Sequence, residues 1–309
     1  MTAQQKRQRF GVFLTVAGGI TWGFSGCCGQ YLFTEKGVTA VWLVGVRLLL
    51  AGAILCAVGI GKFGLRNHFS VFRSRKDMAH FLLYALLGIT LNQYTYFLAV
   101  EASNAGTATV LQYVFPALVL GYVCMKAHRK PSIAECSAIL LVFCGVFLLG
   151  TGGSFTSLRL TPAALFWGFM SVVSVTIYNL LAGSLVSRYG VYSILGTGMM
   201  LGGLLTLPIS KPWLHAPALD AGVLFGIFGV AVLGTAIAYS FYLLGVSLIG
   251  PLKASLLACV EPVASVILSA VWLRTSFVPT DYAGFVCILL NLFILNRPKA
   301  ETCENKTEE

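Results

Sequence analysis

The chain has 309 residues, of which 57% are hydrophobic and 10% charged, with a mean hydropathy of +0.84. Soluble domains carry about 25% charged residues, so this composition excludes a water-soluble globular fold and describes a polytopic membrane protein. The net charge of +10 is then a property of loops between spans and not a nucleic-acid footprint.

A helix needs ~20 apolar residues to cross a ~30 Å hydrocarbon core. Ten stretches approach that length: roughly 11–33, 38–60, 79–100, 104–125, 133–151, 162–185, 191–210, 219–245, 249–272 and 280–296. The first has no small-residue cleavage pattern and is read as a retained helix. The last is the shortest, with only Tyr282–Asn296 free of charge. Gly150, Gly152, Gly153, Pro208, Pro212, Pro217 and Pro279 punctuate the connections.

Lys and Arg distribute unevenly about these spans. With the N-terminus inside, cytoplasmic segments hold 15 of them, outside segments hold four (Lys36, Arg159, Lys211, Arg274), and Arg47 and Lys253 lie within spans. Basic residues collect on the cytoplasmic side, so both termini are expected there. Eight of the nine cysteines lie in apolar stretches, without a C-x-x-C pair, and read as packing residues. The four histidines, 68, 80, 128 and 215, fall in or beside loops. No metal site and no cofactor are expected.

The two halves of the chain resemble each other. Trp22-Gly23-Phe24 recurs as Trp167-Gly168-Phe169 at an offset of 145. Gly88 with Tyr96-Phe97-Leu98 recurs as Gly234 with Tyr242-Leu243-Leu244, and Pro116 as Pro262, both at 146. Each half has five expected spans, an odd number, so the second copy must lie upside down relative to the first. The expected layout is a cytoplasmic N-terminus 1–10, a first repeat 11–151, a linker 152–161, a second repeat 162–296 and a cytoplasmic tail 297–309. The fold class is all-α: ten transmembrane helices in two inverted five-helix repeats. Inverted repeats with proline-broken helices place a site at the midplane between them.

One stretch concentrates the polar chemistry. Ser247–Thr275 is apolar and long enough to cross, yet carries Lys253, Glu261 and Pro262. A charge at mid-membrane costs about 3 kcal/mol on insertion scales, and Pro262 leaves the Ala258 carbonyl without its helical donor.

These features resemble the EamA family of the drug/metabolite transporter superfamily over nearly the whole chain. The likeness rests on the Trp-Gly pair opening each half, Arg47 in R-L-L-L-A-G, and Pro116 and Pro262 in the fourth and ninth spans. The stretches 103–112, 188–190 and 250–262 look closer still to the YicL-like inner-membrane transporters of bacteria. The resemblance implies a central cavity and a small-metabolite substrate such as an amino acid. The chain departs from the family at Arg129 and Thr275, where many members carry Glu.

Candidate substrate-binding residues follow. Glu261 is the one acid deep within a span, and reads as a proton carrier, an ammonium partner or a member of a fixed ion pair. Lys253 lies about 12 Å before it along a helix, and either meets an anion or snorkels to the cytoplasmic surface. Arg47 is an anion anchor or a structural partner of Glu261 or of backbone carbonyls. Gln30, Gln93, Gln112, Asn179, Tyr96, Tyr178 and Tyr242, with Tyr94, Tyr113 and Tyr239, supply amides and hydroxyls. Trp22 and Trp167 occupy equivalent places and are expected on opposite walls of one cavity. Trp42, Trp213 and Trp272 lie near span ends, the place of an interfacial belt. Pro116 and Pro262 are the expected helix breaks. The G-x-x-x-G pairs Gly19–Gly23, Gly198–Gly202 and Gly222–Gly226 predict close helix contacts within the chain and, as a second use, a homodimer.

The sequence holds no H-E-x-x-H, G-x-S-x-G or P-loop, so neither an enzyme nor an ATP-driven pump is expected. The expectation is a secondary carrier in the bacterial inner membrane, an exporter coupled to protons. Its partners are a small-molecule substrate and the bilayer, with no nucleic acid. The alternatives are an uncoupled facilitator or channel, and a membrane protein that does not transport.

Overall fold

A computed structural model describes residues 3–154, 159–214, 216–249, 254 and 257–295, which form helices and the connections between them, with no strand among them. The long helices are α1 Ala3–Lys36, α2 Ala40–Phe63, α3 Arg75–Ala102, α4 Ala105–Lys126, α5 Ile133–Thr151, α6 Pro162–Tyr189, α7 Val191–Ser210, α8 Ala221–Ile249, α9 Val260–Val271 and α10 Pro279–Leu295. Among the described residues, α1 to α8 are each long and apolar enough to cross a membrane, and the apolar segments of α9 and α10 are shorter. α1, α3 and α6 run past the expected apolar limits because their polar ends stay helical beyond the hydrocarbon, whereas α5 and α7 begin and end at the expected residues.

Local chemistry sets the ends. The side chains of Thr39, Ser74, Asn104, Thr161 and Asp220 each accept the N–H three residues on, starting α2, α3, α4, α6 and α8. Ser132 and Glu135 form a capping box at the start of α5. Gly152, at φ +65°, ends α5 in the left-handed region that glycine tolerates.

Two helices are distorted in matching places. Tyr84–Thr90 in α3 and Phe228–Ile237 in α8 wind as π-helix. In each, a threonine hydroxyl donates to the carbonyl five residues back, Thr90 to Ala85 and Thr235 to Val230. Two more helices are broken: α4 at Tyr113–Val114, just before Pro116, and the chain ahead of α9 at Cys259, just before Pro262. The turns at Tyr113 and Cys259 lie 146 apart, and Thr90 and Thr235 of the π-helical stretches 145 apart.

The packing respects the same correspondence. The principal pairs are α2 with α7, α5 with α10, α1 with α8, α3 with α6, α1 with α9 and α4 with α6. Exchanging the two halves leaves that set of pairs unchanged. The glycine pairs serve these internal contacts. A Cβ on Gly23 would stand 2.8 Å from the Glu261 carbonyl oxygen, and one on Gly52 2.5 Å from the Met200 amide, so α1 meets α9 and α2 meets α7 backbone to backbone. Gly198 and Gly202 face Ile89 and Thr90 of α3, and Gly226 faces Leu32 of α1. The outward surface is apolar, with Phe143 69% and Phe169 62% exposed, as lipid requires.

Three expectations change. Trp42 and Trp272 are not belt residues: Trp42 is buried and its Nε1 donates to the Pro212 carbonyl at 3.1 Å, and Trp272 stacks on Phe24 and Tyr31. Trp213 alone of the three is exposed. Cys136 and Cys144 sit on the exposed face of α5, whereas Cys27, Cys28, Cys56 and Cys124 are buried as packing residues. His68, expected in a loop, is fully buried against α7, its Nδ1 3.3 Å from Ser193 Oγ and its Nε2 3.2 Å from Thr197 Oγ1.

Burial holds the His68 imidazole below its ordinary value. A histidine kept neutral in the fold stabilises fully above about pH 6.5, and that stability is lost as pH falls through the lower folded value. The detergent-purified protein should therefore melt at progressively lower temperature as buffer falls from about pH 6.5 towards about pH 5. His68→Gln should flatten that part of the melting curve against pH; an unchanged slope would remove the assignment.

Candidate functional site

A cavity of about 290 Å3 lies between the two halves, where the distorted and broken helices meet. Its wall takes Trp22, Ser25 and Gly26 from α1, Arg47 from α2, and Asn92, Gln93 and Tyr96 from α3. From α4 come Gln112 and Phe115, with Tyr113 at the break, and from α6 Val175, Tyr178 and Asn179. Tyr239 and Tyr242 of α8, Ala258, and Glu261 of α9 close it. Four pairs in this lining are separated by 146 residues: Gln93 with Tyr239, Tyr96 with Tyr242, Gln112 with Ala258 and Phe115 with Glu261. The acid is thus present in one half and a phenyl ring stands in its place in the other.

Arg47 is buried and held as a fork. Its Nε donates to Thr235 Oγ1 at 3.1 Å and one terminal nitrogen donates to Gln93 Oε1 at 2.9 Å, while the guanidinium lies 4.9 Å from the Phe97 ring centroid. Side-chain oxygens of Thr235 and Gln93 therefore hold it, in place of the Glu261 or backbone-carbonyl partners weighed from the sequence. A guanidinium has donors beyond these two. Glu261 is met from the other side: its Oε2 accepts from the Tyr113 hydroxyl at 2.8 Å. Among the described residues no ion pair joins Arg47 to Glu261. One cavity therefore presents an arginine and a glutamate that are not joined by an ion pair.

The rest of the wall is braced by hydrogen bonds. Gln112 Nε2 donates to Asn92 Oδ1 at 3.0 Å and to Ser171 Oγ at 2.6 Å, tying α4 to α3 and α6. The Tyr96 hydroxyl meets Thr109 Oγ1 at 2.8 Å, which meets Ser265 Oγ at 3.2 Å. Trp22 packs edge-on to Tyr239, with ring centroids 5.1 Å apart, and tilted against Tyr242 at 5.3 Å. Asn179 Nδ2 turns back to the Val175 carbonyl. Ser25 Oγ is buried in the lining without a hydrogen-bond partner among the described residues. No cluster of three metal-ligating side chains occurs among those residues.

Two expected residues lie elsewhere. Gln30 does not line the cavity; its Nε2 donates to Thr275 Oγ1 at 3.0 Å and its Oε1 accepts from the Ala105 amide at 2.8 Å, joining α1 to the start of α4 and to the connection that follows α9. Trp167 packs against Phe166 and the core of the bundle, away from the lining. Lys253 lies outside the described residues. The departures at 129 and 275 have local partners: Arg129 forks onto Glu135 at 2.8 Å through both terminal nitrogens, and Thr275 receives Gln30. Asn92, Ser25 and Phe115 were missed. Asn92 is an amide inside a span, the same signal that marks Gln93.

Comparison with known proteins agrees with this architecture. The model of the EamA-like transporter family matches residues 9–151 and again 162–297. A relative from Salmonella typhimurium (strain LT2), "Uncharacterized inner membrane transporter YicL", is 35% identical over 289 residues, covering 93% of this chain and 95% of that protein. A protein of known crystal structure, 16% identical, superposes with a TM-score of 0.57 over 94% of this chain and 96% of its own, and shares the fold.

Proposed function

Since the chain belongs to the EamA-like transporter family and is a multi-pass inner-membrane transporter, we propose that it is a secondary carrier of a small zwitterionic metabolite of the amino-acid class. The observation that carries this reading is the pair Arg47 and Glu261 in one cavity without an ion pair between them. A zwitterion presents a carboxylate and an ammonium on one small skeleton. Arg47 suits the carboxylate, because a guanidinium fork matches its two oxygens. Glu261 suits the ammonium, and Trp22, Tyr239 and Tyr242 supply the face against which an apolar side group packs.

The mechanism proposed is alternating access. Ten crossings in two inverted repeats rock about the cavity, with α4 bending where Tyr113–Val114 interrupts it and the chain bending at Cys259, just ahead of α9. The cationic bias of one set of loops supports cytoplasmic termini. A carboxylate that takes a proton and an ammonium in turn makes the carrier an exchanger, with protons moving in as substrate moves out.

Thermal stability against a panel of amino acids, sugars, purines, organic acids and cationic dyes tests the substrate class. A ligand that binds only the folded state stabilises by about 2.7 kcal/mol at a hundredfold excess over its Kd. Amino acids should raise the melting temperature, and their decarboxylated and deaminated analogues should raise it less. Stabilisation by sugars or purines alone would sink the zwitterion reading.

A further inference from the structure

Tyr113 carries one hydroxyl proton and stands between two acceptors. Its Oη lies 2.8 Å from Oε2 of Glu261 and 3.3 Å from the carbonyl oxygen of Ala258. That carbonyl is the one Pro262 leaves without a helical donor, since proline has no N–H. The two acceptors and the hydroxyl belong to the two broken segments: Tyr113 sits in the turn that interrupts α4, and Ala258 precedes the turn at Cys259 ahead of α9.

A hydroxyl donates one hydrogen bond at a time while accepting others. With Glu261 ionised, the phenol proton goes to the carboxylate, the stronger acceptor, in a charge-assisted bond. With Glu261 protonated, the polarity reverses. The acid O–H donates to the phenol oxygen, and the phenol proton turns to the Ala258 carbonyl. One proton enters the site, none leaves it, and Tyr113 keeps its own proton throughout.

We propose that Tyr113 is a positioning residue that converts the charge state of Glu261 into a change of bonding between the break in α4 and the chain just ahead of α9. A protonated Glu261 clamps α4 to the backbone ahead of α9 through the Ala258 carbonyl. An ionised Glu261 draws the phenol proton away and releases that clamp. The proposal rests on the reading of Glu261 as the proton site, and supplies the link from protonation to the bending segments.

The other titratable groups near Glu261 do not duplicate this role. Arg47 of α2, Tyr96 of α3, Tyr239 of α8 and Cys259 lie within electrostatic reach of it, and Tyr242 of α8 shares the cavity. From α1, Cys27 bonds instead to Ser265 and Ser269. Tyr113 is the group whose hydroxyl reaches both the carboxylate and the carbonyl that Pro262 leaves without its helical donor.

Transport of an amino acid by proteoliposomes, followed against pH, tests the proposal with wild type and Tyr113→Phe. The phenyl variant can make neither the bond to the carboxylate nor the clamp to the Ala258 carbonyl, so the change in its transport rate across the wild-type pH profile should shrink several-fold. A Tyr113→Phe profile that matches a pH-dependent wild type overturns the proposal and leaves the proton reading standing. A wild-type profile flat in pH overturns both. A second measurement uses the unaltered side chain, so it holds even where Tyr113→Phe does not fold. In protein labelled with ring-deuterated tyrosine, the acid-minus-base infrared spectrum should show a perturbed tyrosine C–O band that disappears in Glu261→Gln. Absence of that band, or its persistence in Glu261→Gln, overturns the proposal as well.

Discussion

Glu261→Gln should end proton-driven transport while leaving a folded protein. Glutamine has nearly the shape of glutamic acid, and its amide oxygen can take the Tyr113 hydrogen bond that Oε2 accepts at 2.8 Å. What it lacks is the charge. An ion-assisted hydrogen bond to a substrate ammonium is worth about 1.5–3 kcal/mol, so amino-acid affinity should fall roughly tenfold to a hundredfold. The residual binding should no longer depend on pH, because the group that exchanges proton for substrate is gone. Vesicles with an imposed proton gradient should show substrate accumulation in wild type and none in the variant. Full gradient-driven transport by Glu261→Gln would remove the coupling role. Unchanged affinity with lost coupling would keep the proton and move the ammonium elsewhere in the cavity.

The spans were legible because each is an apolar run near the length a bilayer needs, whereas the capping residues Thr39, Ser74, Asn104, Thr161 and Asp220 emerge only with the helices they start. Glu261, Arg47 and Pro262 stood out because charge and a missing N–H are costly in hydrocarbon. The π-helical stretches left no comparable mark. Thr90 and Thr235 are ordinary threonines until their hydroxyls reach back five residues, a choice that depends on the neighbouring helix. Tryptophan placement failed for a related reason. Trp42 and Trp272 lie at span ends, and position along a span does not say whether a ring turns to the interface or to another helix. Trp22 and Trp167 are equivalent in sequence, yet only Trp22 lines the cavity, because the aromatic pair Tyr239 and Tyr242 beside it belongs to α8. At the equivalent places in α3 stand Gln93 and Tyr96. His68 looked like a loop residue because the segment around it is polar; only the approach of α7 buries it.

Arg47→Met should separate anchoring from recognition. The thioether fills the stem's space but returns neither hydrogen bond, so Gln93 Oε1 and Thr235 Oγ1 lose the donors that reach them at 2.9 and 3.1 Å. Each loss inside a membrane bundle costs about 0.6–1.7 kcal/mol, so the variant should melt lower by an amount consistent with about 1–3 kcal/mol in total. Recognition should change in kind. An amino acid binds wild type better than its decarboxylated amine does, because the guanidinium takes the carboxylate. In Arg47→Met that preference should collapse to within a few-fold, through loss of the charge-assisted pair. Arg47→Lys sharpens the comparison. It retains a charge but not the planar fork, so it should recover part of the preference and little of the stability. If Arg47→Met melts lower yet keeps the full preference for the carboxylate, Arg47 is a brace between α2, α3 and α8 and the anion is held by another group.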